Sequence, residues 1–379
     1  MLNICVNGLF RYDQYVRFFG EAGLLEGFYY SHRIHTNAKA LGIEKSQAYN
    51  LWFKEYALHG YLRINRRASH RSQIAILDAW QFAVLAKYKP APALLAVIGE
   101  TADRILTRAK RQGSVTTGHA VTSHPIELKR QISIEHDLLG VAAPSFEVSS
   151  RRLDEIALCD RLLVDSSFVA RSYSEQGVEF ERIATVVPGA NMTRFSPRDP
   201  AERDTDEFIV MSVGAIVPRK GHRYLLEAWR RAGAPGKLVL VGSLGEHARQ
   251  ILGPYSCLYE HIPRVENVRL RELLVKASVF VLPSVEDGFA QAAMEALACG
   301  VPVICTRNAG VADLVVDGVN GWVVDARDPD AIASCIQRLR QDPSLAAQMG
   351  VNAGEMAAGT TDWRRYAQEV VELVQSNLK

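Results

Sequence analysis

No stretch of the 379 residues stays apolar for the ~20 residues that a membrane-spanning helix needs; the longest runs, Phe208–Val217 and Ala277–Pro283, stop far short of it. The amino-terminal MLNICVNGLFRY has neither the long apolar centre nor the small-residue cleavage site of a secretory signal. It is expected to form a strand, Leu2–Val6, running into a glycine turn. The 6 cysteines contain no C-x-x-C pair and no Cys/His cluster at metal-ligand spacing. Most lie in apolar runs such as ALACGVPVICT, where a thiol behaves as a small hydrophobe. Buried free thiols in a reducing compartment are therefore expected, and with them a cytoplasmic protein. Solenoid repeats, low-complexity tracts and the Walker A pattern G-x-x-x-x-G-K-[ST] are all missing. Collagen-like chains, disordered chains and P-loop ATPases are thereby set aside.

What is present is the balance of a folded protein, 48% hydrophobic and 23% charged. The length exceeds what one core usually fills, so two domains are expected. The formal charge of +2 hides an asymmetry: residues 1–130 hold 18 Lys/Arg against 9 Asp/Glu. Two clusters carry the excess, Arg63, Arg66, Arg67 and Arg71, then Arg104, Arg108, Lys110 and Arg111. No aromatic-interleaved RNA motif, zinc finger or recognition-helix pattern accompanies them, so nucleic acid is not an expected partner. A solvated helix face remains open, as does contact with a charged acceptor or with the anionic inner face of a membrane.

In the second half, Phe208–Val213, Lys237–Val241, Ser278–Leu282 and Val303–Thr306 are short β-branched runs without polar alternation, the pattern of strands buried on both faces. Helical stretches separate them, including Tyr224–Ala232 and Ala290–Cys299, and Asp328-Pro329 opens another. Alternation of this kind predicts a parallel, doubly wound sheet. The first half repeats it more loosely, with strands at Leu2–Val6, Leu94–Ile98, Ser114–Thr117 and Arg161–Val164, a helix N-cap at Ser166 and a helix-rich stretch over Ser46–Tyr88. The proline- and charge-rich Pro188–Glu207 is expected to link the halves. The expected division is 1–195, 196–360, and a terminal helix in 361–379 packing back on the first domain.

Two strand-to-helix turns carry candidate chemistry. In VLPSVEDGFAQAAMEALACG, a buried strand ends at Pro283, the acidic Glu286-Asp287 follows, and Gly288 opens a helix carrying Glu295. The N–H groups of Phe289, Ala290 and Gln291 are expected to be unpaired at that helix start and to suit a diphosphate. Asp287 is placed to accept hydrogen bonds from a sugar, and Glu295 from a ribose. The plainer alternative is that Asp287 caps the helix and Glu295 is a solvated residue. In VGAIVPRKGHRYLLEAW, Arg219 and Lys220 directly precede Gly221 where a helix begins, a second place to neutralise a departing diphosphate. Gly242 and Gly245 in VGSLGEH fit a third such turn.

These runs resemble the family 4 retaining glycosyltransferases of the GT-B fold. Pro283-Ser284, then Asp287-Gly288-Phe289-Ala290, then Glu295 match the family's P-S, E-G-F-G and E-x7-E signature. Gly214 to Gly221 matches its phosphate-binding G-R-x-x-x-x-K-G, and GVADLVVDGVNGWVV its downstream segment. The resemblance covers residues 150–345 well and the first 110 faintly. It implies an α/β protein of two Rossmann-like, doubly wound domains facing a central cleft. The implied reaction moves a sugar from a nucleotide diphosphate sugar, such as a UDP- or GDP-sugar, to an acceptor hydroxyl. The implied acceptors are carbohydrates or lipid-linked sugars of surface polysaccharide or glycolipid synthesis.

On this resemblance Lys220, Arg219, Asp287 and a histidine take part in catalysis, while Gly8, Gly214, Gly242, Asp287, Gly288, Phe289, Ala290, Gln291 and Glu295 bind the donor. The S-H-P pattern before a helix favours His124 over His119 as that histidine. No cofactor and no metal are implied, since there is no Asp-x-Asp in a plausible loop. Two departures stand out: Asp287 replaces the motif's first Glu, and Ala215 its Arg. They leave room for a nucleotide-binding protein without turnover. A nucleotide-sugar epimerase of the same architecture is the other alternative.

Overall fold

The computed structural model describes residues 1–64, 70–144, 148–197, 207–360 and 362–376. The first half forms a 7-stranded sheet of β1 (Leu2–Val6), β2 (Leu25–Tyr30), β3 (Ala48–Asn50), β4 (Ala93–Val97), β5 (Val115–Ala120), β6 (Arg161–Val164) and β7 (Ile183–Thr185). Its order is β3-β2-β1-β4-β5-β6-β7. The second half forms a 6-stranded sheet of β8 (Ile209–Val213), β9 (Lys237–Val241), β10 (Glu260–Ile262), β11 (Val279–Leu282), β12 (Val303–Thr306) and β13 (Gly321–Val324), ordered β10-β9-β8-β11-β12-β13. Every pairing within both sheets is parallel. Helices cover both faces, which is why β4, β11 and β12 are buried at every position. Each order reverses once, between β1 and β4 and between β8 and β11, and ligands of doubly wound sheets bind at such reversals.

Each sheet has an apolar cluster on either side. On one face of the first, Tyr12, Tyr15 and Phe19 meet the helix Trp363–Ser376, so the chain returns to its first sheet after completing the second. Tyr15 stacks on Trp363 with ring centroids 5.5 Å apart. The two halves also share a buried charge: Glu135, fully buried, accepts from Arg327 Nε at 2.6 Å and from Tyr224 Oη at 3.0 Å.

Several expectations need correction. β5 runs on to Ala120, so His119 lies in a strand and not in the loop after it. Gly118, inside this strand, serves close packing: a Cβ there would lie 2.5 Å from Cys159 Sγ. The stretch 46–88 begins with edge strand β3 before its helices, Phe53–Ile64 and His70–Lys87. Pro188–Glu207 is not free linker throughout, because Ala190 and Phe195 are buried in a core cluster of the second sheet; residues 198–206 lie outside the described residues. Cys5, Cys159, Cys299 and Cys305 are buried as expected, whereas Cys257 is exposed and Cys335 half-buried. Among the described residues, no helix is long and apolar enough to cross a membrane.

Candidate functional site

The loops that follow the strands of the two sheets meet each other. Ser166 accepts from Val169 N at 3.3 Å, capping the helix Ser167–Ser174, and donates across to Gly288 O at 2.7 Å. After β5, Ser123 donates to Glu286 Oε1 from its backbone at 3.1 Å and from its hydroxyl at 3.0 Å. After β1, Arg11 donates to Gln291 Oε1 and to Asp165 Oδ2, both at 2.9 Å. The cleft between the sheets is closed along this line.

At its centre two acids meet two bases. Arg219 Nη1 donates to the Glu286 backbone carbonyl at 2.7 Å and to Glu286 Oε2 at 2.8 Å. Lys220 Nζ pairs with Asp287 Oδ2, which Ser284 Oγ also approaches at 3.5 Å. Glu286 is fully buried and Asp287 nearly so. The basic turn is seated on the acidic loop by its backbone: Val285 N donates to Arg219 O at 3.0 Å, and Gly221, at φ 68°, has Pro283 O where a Cβ would stand. Arg219 and Lys220 occupy a short 3-10 turn, Pro218–Lys220, and the helix proper starts at His222. His222 is buried, and burial with Lys220 alongside pushes its imidazole down to about 3, keeping it neutral. Gly214 and Gly242 extend the strand ladder beyond β8 and β9, their N–H groups donating to Val241 O and Ile262 O at 2.9 Å.

The acidic loop differs from expectation in one respect. The following helix begins at Gln291, so Phe289 and Ala290 precede it. Phe289 is buried in the core, and Ala290 takes a left-handed φ of 67°. A non-glycine residue held there is strained, as residues at binding sites often are. Asp287 does not cap this helix; it bridges to Ala309, with its N–H on Asn308 O at 3.0 Å and its carbonyl receiving Gly310 N at 2.9 Å. Its carboxylate is left for Lys220.

Glu295 is not a solvated residue. It lines a cleft cavity of about 320 Å³ with Arg11, Asn191, Arg194 and Gln291. Burial pushes its carboxyl up to about 7, against the pull of Arg11 and Arg194. Arg11, not singled out in the sequence, is aimed by a buried chain: Tyr12 Oη to His119 Nδ1 at 3.0 Å, and His119 Nε2 to Asp165 Oδ1 at 2.9 Å. Burial works against the Asp165 carboxylate, yet His119 and Arg11 hold it below its usual range. Phe10 and Arg11 both sit at positive φ, 43° and 68°. Gly8 lies half-buried two residues before them.

His119 belongs to the chain just described. His124, expected to be catalytic, is the N-cap of the helix Pro125–Leu139: its Nδ1 accepts from Ile126 N at 3.3 Å, and its ring meets Tyr173 edge-on. Burial lowers its basicity. Of the basic clusters, Arg66 and Arg67 lie outside the described residues. In the second, Arg104 pairs with Asp78 at 3.3 Å and Lys110 with Asp160 at 2.9 Å.

Gly288 sits hard against the opposite half. A Cβ on it would stand 2.0 Å from Val121 O, which belongs to the opposite half. Gly288→Ala is therefore expected to hold the cleft open while leaving each half folded. Since misplacing reacting groups by ~1 Å can cost ~10²-fold in rate, turnover should fall by that order with little change in the thermal unfolding midpoint. Steady-state kinetics beside calorimetry checks it.

Residues 194–356 match the family of glycosyl transferases group 1. The chain is 32% identical over 210 residues to a GDP-mannose-dependent alpha-(1-6)-phosphatidylinositol monomannoside mannosyltransferase of Mycolicibacterium smegmatis, covering 49% of this chain and 54% of that protein. It is 29% identical over 233 residues to the putative colanic acid biosynthesis glycosyltransferase WcaL of Escherichia coli, covering 57% of each. The chain thus spans about half the length of these curated relatives. Over the whole chain the fold superposes on sucrose-phosphate synthase from Thermosynechococcus elongatus with a TM-score of 0.73 at 21% identity, covering 100% of this chain and 99% of that one. Anabaena Alr3699/HepE, solved with UDP, gives 0.71 at 13% identity, covering 99% of both. The architecture is the GT-B fold.

Proposed function

We propose that this chain is a retaining glycosyltransferase, moving a sugar from a nucleotide diphosphate sugar to an acceptor hydroxyl. The observation that carries the reading is the pairing of Arg219 and Lys220 with Glu286 and Asp287 inside the cleft. Two cations beside a helix start, countered by carboxylates of the neighbouring loop, can exchange those partners for a diphosphate. The released Asp287 carboxylate then faces the sugar, and Glu295, in its cavity with Arg11 and Gln291, takes the ribose. Gly214, Gly242 and Gly288 let backbone lie close to the donor.

As the glycosidic bond breaks, charge grows on the departing phosphate, and Lys220 and Arg219 stabilise it without a metal. The acceptor attacks from the same face, and its proton passes to that phosphate, so no nucleophilic carboxylate is required. His124 contributes by capping the helix Pro125–Leu139, which fixes the Ser123–His124 loop against Glu286. The names of the relatives, a phosphatidylinositol monomannoside mannosyltransferase and a colanic acid biosynthesis glycosyltransferase, favour a lipid-linked or polysaccharide acceptor. The excess of Lys/Arg over Asp/Glu in residues 1–130 suits a peripheral approach to an anionic surface.

Incubating the protein with UDP- and GDP-sugars and a panel of glycolipid and oligosaccharide acceptors, and reading the product anomer by NMR, tests the proposal. Transfer with the donor's anomeric configuration is the expected result. Inverted product would overturn the retaining mechanism. Tight nucleotide binding without transfer would favour the binding-protein alternative, and a changed sugar in recovered donor the epimerase.

A further inference from the structure

Away from the donor loops, the fold assembles a group that sequence spacing hides. His136 stands in the last turn of the helix Pro125–Leu139, and Glu246 and His247 in the loop after β9 of the opposite half. Their ligand-capable atoms all lie within 4.8 Å of one another. The two imidazoles meet at 5.2 Å between centroids, nearly perpendicular. His136 is 4% exposed, and its Nδ1 donates to Ile132 O at 2.8 Å. That bond fixes the tautomer, so Nε2 carries a lone pair, and Nε2 is buried with no hydrogen-bond partner. His247 Nε2 is likewise buried without one, although Glu246 Oε1 stands 3.4 Å away. His247 is held at φ 59°, a left-handed backbone that a non-glycine residue rarely adopts.

Two buried imidazole nitrogens without partners, the one on His136 carrying a lone pair, are costly unless something pairs them. We infer that His136, His247 and Glu246 form a binding site for a divalent transition-metal ion of the zinc class, pinning the two halves of the molecule together. Two imidazoles and a carboxylate are the donor set such an ion prefers, with water as a fourth ligand. Ligands ~2.0–2.1 Å from an ion stand no more than ~4.2 Å apart, so atoms already within 4.8 Å of one another need only a small adjustment to complete the set. The helix that carries His136 begins at Ser123–His124, the loop holding Glu286. An ion at its far end would brace that loop. The inference is independent of the transferase reading, since it concerns closure and not the reaction.

The test uses chelator-treated full-length protein titrated with Zn²⁺ against a competing chromophoric chelator, with His136→Gln, His247→Gln and Glu246→Gln beside the wild type. The wild type is expected to take up one equivalent, and each histidine variant to bind at least ~10-fold more weakly, the loss of one ligand's contribution. Circular dichroism establishes that the variants are folded. Co²⁺ in place of Zn²⁺ should give the intense visible absorption of a four-coordinate site in the wild type, absent from both histidine variants. No stoichiometric uptake, or equal affinity in wild type and His136→Gln, would overturn the inference, as would a six-coordinate Co²⁺ spectrum in the wild type.

Discussion

Lys220→Ala should reduce kcat by ~10²–10³, the usual loss when one preorganised electrostatic donor is removed from a developing anion. The argument rests on where the ammonium is. Among the described residues its carboxylate contact within ion-pair distance is Asp287, on the loop that Gly288 presses against the opposite half. The substitution also deprives Asp287 of that partner, but Asp287 keeps its backbone bridge to Ala309 and its approach to Ser284. The fold should therefore suffer far less than the rate. Lys220→Arg keeps the charge while changing its shape, and should recover part of the activity. Near-normal kcat in Lys220→Ala, measured at saturating donor, would remove the phosphate role.

Glu295→Gln should push stability and binding in opposite directions. The carboxyl is raised to about 7 from an ordinary 4.5. A group whose folded pKa lies above its unfolded one supports folding fully below the unfolded value and loses that support as pH rises through the folded one. Stability attributable to Glu295 should therefore fall between pH 4.5 and 7, by about 3 kcal/mol at most. Glutamine has no such slope, so the variant should gain on the wild type as pH rises through that window. Nucleotide affinity should meanwhile weaken by ~10–100-fold, the loss of a hydrogen bond to a charged group of ~1.5–3 kcal/mol. Urea unfolding across pH and calorimetric titration with a nucleoside diphosphate read the two effects separately. Asp287→Asn should instead spare the free nucleotide and weaken the intact donor; equal losses for both ligands in both variants would refute this division.

The second sheet was the more legible because its strands are buried on both faces and leave unbroken apolar runs, Val279–Leu282 and Val303–Thr306 among them. Edge strands of three residues, β3, β7 and β10, leave too short a pattern to read. Local chemistry was also readable: Asp328 caps its helix through Ala331 N at 2.9 Å, as its place before Pro329 implies. Contacts across the cleft were not. Glu286 finds Ser123 163 residues away, Arg11 finds Gln291 280 away, and nothing in either neighbourhood marks the pair. His124 carries two readings at once. Its S-H-P setting points to a functional loop, but the same setting places a side chain where a helix needs a cap, and the cap is what it supplies.

The central claim is that a nucleoside diphosphate occupies the place where Arg219 and Lys220 now meet Glu286 and Asp287, with its ribose at Glu295. Calorimetric titration of UDP and GDP into the wild type, Lys220→Ala and Glu295→Gln tests it most directly. The account predicts saturable binding of at least one of the two nucleotides by the wild type, weakened at least ~10-fold in each variant. Failure of both nucleotides to bind the wild type, or the same affinity in all three proteins, would contradict it.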